Sequence, residues 1–154
     1  MKRFTSSFVQ RMNREFVNID VIVFGNRVKF IDSPTADDVL RLEKINGQPN
    51  YENAFKMAER SLQPSHTRKV VLTITTISKG SLSEEAEQVL DKMKADGFEL
   101  YSMVLKTDGD VVSVDDFHSF TSRPLSRNSF VVHQSKAVDW STVVAMETCK
   151  RRSS

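Results

Sequence analysis

Residues 46–80 pass from a loop through a helix to a buried strand, and this succession restricts the chain to folds in which helices and strands alternate. The loop reads Asn46-Gly47-Gln48-Pro49-Asn50. Asn50 is a plausible cap for a helix that carries Phe55, Ala58 and Leu62 inward. Gln63-Pro64-Ser65-His66 breaks that helix, and the β-branched run over residues 70–77 predicts the strand.

The flanking sequence keeps the same rhythm. Phe4, Phe8, Met12 and Phe16 recur at helical spacing. Phe4 and Phe8 also suit a strand, but Thr5-Ser6-Ser7 carries no apolar weight, so a helix is expected. Residues 18–24 read as a strand, Gly25-Asn26 as a hairpin turn, and residues 27–31 as a half-exposed edge strand. Thr35 with Asp38 forms a capping-box pattern before a short helix bearing Val39, Leu40, Leu42 and Ile45. Ser81 with Glu84 repeats that pattern before a helix burying Leu82, Ala86, Val89, Leu90 and Met93, with Gly97 as its C-terminal cap. Strands over 98–105 and 129–132, a short helix over 115–121 and a last helix over 138–149 complete the order.

The expected fold class is α/β: a mostly parallel sheet with helices on both faces, right-handed crossovers and an antiparallel edge strand. At 154 residues, with no Gly-, Pro- or Ser-rich linker, one domain over 1–149 is expected. Residues 150–154, which include Lys150-Arg151-Arg152, read as a basic disordered tail.

Charge and composition narrow the functions. The chain has 22 basic and 20 acidic residues, a net charge of only +2, and most of the excess lies in the tail. No nucleic-acid partner is therefore expected. No apolar run approaches the ~20 residues that span a bilayer, and no apolar block follows Lys2-Arg3, so neither a membrane span nor a secretory signal is expected. Taken literally the chain stays in the cytosol; as a fragment of a secreted protein it would be extracellular.

Candidate chemistry is sparse. Cys149 is the only cysteine, which excludes an intrachain disulfide, and it has no His or Asn companion. His66, His118 and His133 are not at metal-ligand spacing. Asp37-Asp38 and Asp115-Asp116 begin helices, where carboxylates favour the positive end of the dipole. No Gly-rich phosphate loop or Gly-x-Ser-x-Gly elbow is present. The phenylalanines and Trp140, beside Val143 and Val144, read as core or helix anchors. The expectation is a protein without enzymatic activity and without a cofactor.

Several segments, in order, resemble the von Willebrand factor A family over nearly the whole chain. Residues 19–31 resemble its second and third strands, and residues 47–55 its Gly-Gly-Thr-Asn loop and following helix. Residues 69–76 are similar to its strand ending in Thr-Asp-Gly. Gly97-Phe98-Glu99-Leu100-Tyr101 resembles its Gly-Ile-x-Ile-Tyr strand, and Ser122-Arg123-Pro124 with Phe130-Val131-Val132 its closing Ser-x-Pro and last strand.

The resemblance implies a divalent-cation site at the top of the sheet, built from an Asp-x-Ser-x-Ser, a loop Thr and an Asp. Here the Thr position falls on Pro49 and the Asp position on Thr76, while the Asp-x-Ser-x-Ser would have to precede Phe4. The ion is therefore not expected. The family's central first strand would also be missing. Such a strand buries about five or six apolar side chains, on the order of 10 kcal/mol against a domain stability of ~5–15 kcal/mol. The flanking strands close up, a second chain donates a strand, or the sequence is part of a longer protein. Closure or truncation is favoured over donation or a dimeric partner.

The resemblance makes the chain a protein-interaction module of adhesion type that works without metal. The partner, a protein of unspecified identity, would meet Asn26, Gln48, Pro49, Asn50, Thr76 and Ser78 beyond the carboxyl ends of the strands. The alternative is a degenerate domain that serves packing or assembly within a larger protein.

Overall fold

The computed structural model describes residues 1–15, 17, 19–62, 68–76 and 82–149. Phe16, Gln63-Pro64-Ser65-His66, Ile77, Ser78, Ser81 and the tail over 150–154, on which some of the expectations fall, lie outside the described residues.

Helix α1 (Lys2–Arg14) buries Phe4, Phe8, Val9 and Met12, the helical stripe read from the sequence. Strands β1 (Val21–Phe24) and β2 (Val28–Ile31) form an antiparallel hairpin, with Val21 opposite Ile31 and Phe24 opposite Val28. Helix α2 (Ala36–Leu40) opens with a true capping box: Thr35 Oγ1 accepts the Asp38 N–H at 3.1 Å, and Asp38 accepts the Thr35 N–H at 2.8 Å. Helix α3 (Tyr51–Leu62) leads to β3 (Val70–Thr76), and α4 (Glu84–Ala95) leads to β4 (Glu99–Lys106). A short α5 (Leu125–Asn128) precedes β5 (Ser129–His133), and α6 (Ser141–Cys149) is the last described element.

Strands β3, β4 and β5 form a parallel three-stranded sheet in that order. Two apolar layers enclose it. On one face, Phe4, Phe8 and Met12 of α1 and Val144 and Ala145 of α6 pack over Tyr101, Met103, Leu105, Phe130 and Val132. On the other, Phe55 and Ala58 of α3 and Leu90 and Met93 of α4 pack over Leu100 and Val104, with Phe117 and Phe120. Strand β4, bonded on both sides, is buried over residues 100–105. The chain is thus α/β with helices on both faces of a parallel sheet, as the sequence implies.

Some expectations need correction. The hairpin and the parallel sheet remain separate sheets, so β1 and β3 do not close up. Ser83, not Ser81, caps α4, accepting the Ala86 N–H at 3.2 Å. A start at Ser83 places Glu84, Glu85 and Glu87 together in the first turn, against the positive end of the helix dipole. In α2 only Val39 is buried, because a five-residue helix has room for one inward position; Leu40 is exposed. Phe30, on β2 of the two-stranded hairpin, is exposed. Trp140 is exposed too: Ser141, Val144, Ala145 and Thr148 form the buried side of α6, and Trp140, Val143 and Met146 fall off that side.

Candidate functional site

The crest beyond the carboxyl ends of β1 and β3 is assembled by the backbone. The Asn50 N–H donates to the Gly25 carbonyl at 2.8 Å, and the Asn26 N–H donates to the Asn46 carbonyl at 3.1 Å. These bonds clamp the loop before α3 onto the β1–β2 turn. Gly25 is required by the closeness of the clamp: a Cβ there would lie 2.5 Å from the Ile45 carbonyl oxygen. Gly47 has φ +94° and sits against the Asn26 side chain, where a Cβ would be 2.8 Å from Asn26 Cβ.

Asn50 then starts α3, its Oδ1 accepting the Asn53 N–H at 3.0 Å. The next residue, Tyr51, joins the remaining parts. Its ring centroid is 5.3 Å from that of Phe24, at the end of β1, and 5.3 Å from that of Phe120. Its hydroxyl lies 3.3 Å from Thr75 Oγ1 on β3. Thr75 Oγ1 also lies 2.8 Å from the Thr76 carbonyl, to which it donates.

Asn26, Gln48, Pro49 and Thr76 are exposed, and Asn50 is half-buried. Asn26, Gln48, Pro49 and Asn50 are brought together by the clamp, and Thr76 is linked to them through Thr75 and Tyr51. Ser78 lies outside the described residues. The sequence reading missed Tyr51 and Gly25 as organisers; the only signal for them was their place beside Asn50 and Asn26.

The donor set does not fit the cation that the fold family implies. A hard divalent ion needs convergent oxygens, usually with carboxylates among them. Among the described residues, the crest around Pro49 and Thr76 offers amides, hydroxyls and a proline, and Asn50 Oδ1 is engaged as a cap. Among the described residues no cluster of three or more His, Cys, Asp or Glu is arranged to hold a metal.

Farther along the same crest, His133 Nε2 lies 2.9 Å from Asp108 Oδ1, and His133 Nδ1 lies 2.8 Å from Ser135 Oγ. This Ser–His–Asp chain resembles a nucleophile–base relay in connectivity only. The Asp108 side chain is 99% exposed, so water screens the pair. The His133 ring also accepts the Ser135 N–H at 3.3 Å, which makes it the cap of the 3-10 turn over 134–136.

Comparison with known proteins fixes the fold. No protein-family model and no curated protein matches the chain. Solved structures do. Proximal thread matrix protein 1 from the mussel byssus superposes with a TM-score of 0.71 at 14% identity, over 96% of this chain and 42% of its own. An aerotolerance-related membrane protein from Bacteroides fragilis gives 0.65 at 16% identity, over 97% of this chain and 87% of its own. A von Willebrand factor type A structure from Catenulispora acidiphila gives 0.64 at 11% identity, over 97% of this chain and 38% of its own. The chain spans less than half the length of the first and last of these. The fold is of the von Willebrand factor A type. Among the described residues no helix is long and apolar enough to cross a membrane.

Proposed function

We propose that this von Willebrand factor A-type chain is a non-enzymatic protein-interaction module of adhesion type, which recognises a protein partner at its crest without a divalent cation. The observation that carries this reading is the clamped loop: Asn26, Gln48 and Pro49 are exposed on a backbone held by the Asn50–Gly25 and Asn26–Asn46 hydrogen bonds. A fixed loop with neutral polar side chains favours recognition by shape and hydrogen bonds, since little side-chain or loop entropy is lost on binding. A non-enzymatic reading is supported by the exposure of the Asp108 side chain beside His133, which leaves the pair screened by water.

The test uses Gln48→Arg, because Gln48 is exposed and takes no part in the clamp. A protein that binds the immobilised chain equally in EDTA and in magnesium, and is lost to the Gln48→Arg variant at unchanged melting temperature, supports the module. Binding abolished by chelation, or indifferent to Gln48→Arg, overturns it.

A structural role in assembly is the second reading. It is favoured by the likeness to a protein named as a matrix protein, whose chain is more than twice the length covered here. A chain that binds nothing at the crest but is stabilised by the rest of a larger polypeptide supports it.

A further inference from the structure

The face of α3 turned towards β2 is only partly covered. Asn53, Lys56, Met57 and Arg60 recur at helical spacing, so they form one stripe of α3, and with Val28 of β2 they line a cavity of about 290 Å³. Val28, Lys56 and Met57 are half-buried, while Asn53 and Arg60 are exposed. Pockets that enclose a small molecule span roughly 300–1,000 Å³. This smaller cavity suits a side chain that projects from a longer segment.

The strand beside the cavity has a free edge. Strand β2 is paired with β1, and among the described residues no strand pairs with its other side. The Gly25 N–H donates to the Arg27 carbonyl at 2.9 Å. Bonded and non-bonded pairs alternate along an antiparallel ladder, so Val23–Lys29 and Val21–Ile31 are bonded pairs, and Phe24–Val28 and Ile22–Phe30 are not. The N–H and C=O groups of Val28 and Phe30 therefore point away from β1, towards the free edge. Val28 faces α3. Phe30, two residues on, shares that face and is exposed, whereas Lys29 faces the other way.

Charge selects the occupant. Lys56 is ion-paired with Glu52. Among the described residues Arg27, Lys29 and Arg60 form no ion pair, so uncompensated positive charge flanks the edge on both faces. Cations on an edge strand discourage pairing with a second copy, which would set its own Arg27 and Lys29 against them. The same cations favour an acidic strand. On the α3 face, Val28, Phe30 and Met57 favour apolar side chains.

We infer that the outer edge of β2, with the cavity beside it, is a docking site for an extended segment of a partner protein in which acidic and apolar residues alternate. Main-chain hydrogen bonds to Val28 and Phe30 hold the segment, as in β-strand addition. One of its apolar side chains enters the cavity over Val28 and Met57, and its carboxylates meet Arg27, Lys29 and Arg60. None of these residues belongs to the crest set of Asn26, Gln48, Pro49, Asn50 and Thr76, so the two surfaces succeed or fail separately.

The test uses a fluorescently labelled seven-residue peptide of alternating glutamate and valine, with lysine replacing glutamate in a control. Expected is one glutamate peptide bound per chain, more weakly as salt rises, and at least tenfold more tightly than the lysine peptide. Amide exchange should slow roughly tenfold or more at Val28 and Phe30, with Lys29 and Ile31 unchanged because their N–H groups already face β1. Lys29→Glu combined with Arg60→Glu, both at exposed positions, should reverse the preference between the two peptides at unchanged melting temperature. Equal binding of the two peptides overturns the inference, as does the absence of binding. Binding without protection at Val28 and Phe30 also overturns it, since charge alone would then hold the peptide.

Discussion

The Tyr51 hydroxyl lies 3.3 Å from Thr75 Oγ1, which ties the first turn of α3 to the end of β3 although their backbones belong to different layers. Phe24 packs on the same ring, so three elements converge on one side chain. The crest holds its shape through this convergence and through the backbone clamp beside it.

Tyr51→Phe keeps the ring contacts and removes the hydroxyl. The expected loss of stability is about 0.5–1.5 kcal/mol, read as a lower urea midpoint at unchanged m-value. A neutral result would mean that the Thr75 contact contributes nothing.

Gly25→Ala forces a Cβ to within 2.5 Å of the Ile45 carbonyl oxygen. Backbone cannot step aside as a flexible side chain does, so a loss of about 1–3 kcal/mol is expected. Gly109→Ala is the comparison. Gly109 has φ +86° but no atom within 4 Å of the added methyl, so only backbone strain, about 1–2 kcal/mol, should appear. Chemical shifts at Ile45 and Asn46 should move in Gly25→Ala and stay in place in Gly109→Ala.

Asn50→Ala removes the cap on the Asn53 N–H and should cost about 1 kcal/mol in thermal or urea unfolding. Gln48→Ala, at an exposed position two residues away, should stay within about 0.5 kcal/mol of the parent. Equal losses in the two variants would contradict the division between a residue that builds the crest and one that is presented by it.

Much of the fold is legible in the sequence because its signals are local. The spacing of Phe4, Phe8 and Met12 gives the buried stripe of α1, and Thr35 with Asp38 gives the cap of α2. The sequence reading took Ser81 with Glu84 as the start of α4, whereas Ser83 caps it; the dipole favours that later start. Phe30 and Trp140 have apolar side chains that are left partly exposed, which is a tertiary fact without a local signature. The crest was legible as residue positions, from the loop and the strand end. Its organiser, Tyr51, was not, because its partners Phe24, Thr75 and Phe120 are scattered along the chain. The Asp108–His133 pair was missed for the same reason.

Strong acid should loosen the cap of α2. The Thr35 N–H, and then the Thr35 hydroxyl, hold the Asp38 carboxyl below its ordinary value of 3.8. A carboxyl with a depressed folded pKa contributes stability that is present above the unfolded value and lost as pH falls through the folded one. The capping contribution should therefore be intact at neutral pH and decline below pH 3.8. Chemical shifts of Thr35 and Asp38 should titrate in that acid range. A midpoint above 3.8 would contradict the capping geometry.

Thermal unfolding with and without divalent ions bears most directly on metal-free recognition at the crest around Pro49 and Thr76. A cation bound to the folded state raises the melting temperature in proportion to RT ln(1 + [L]/Kd), about 2.7 kcal/mol at a hundred times Kd. Melting curves in EDTA and in millimolar magnesium, calcium or manganese should superimpose. A rise that saturates with ion concentration and disappears in Thr76→Ala would place a cation at the crest and refute metal-free recognition.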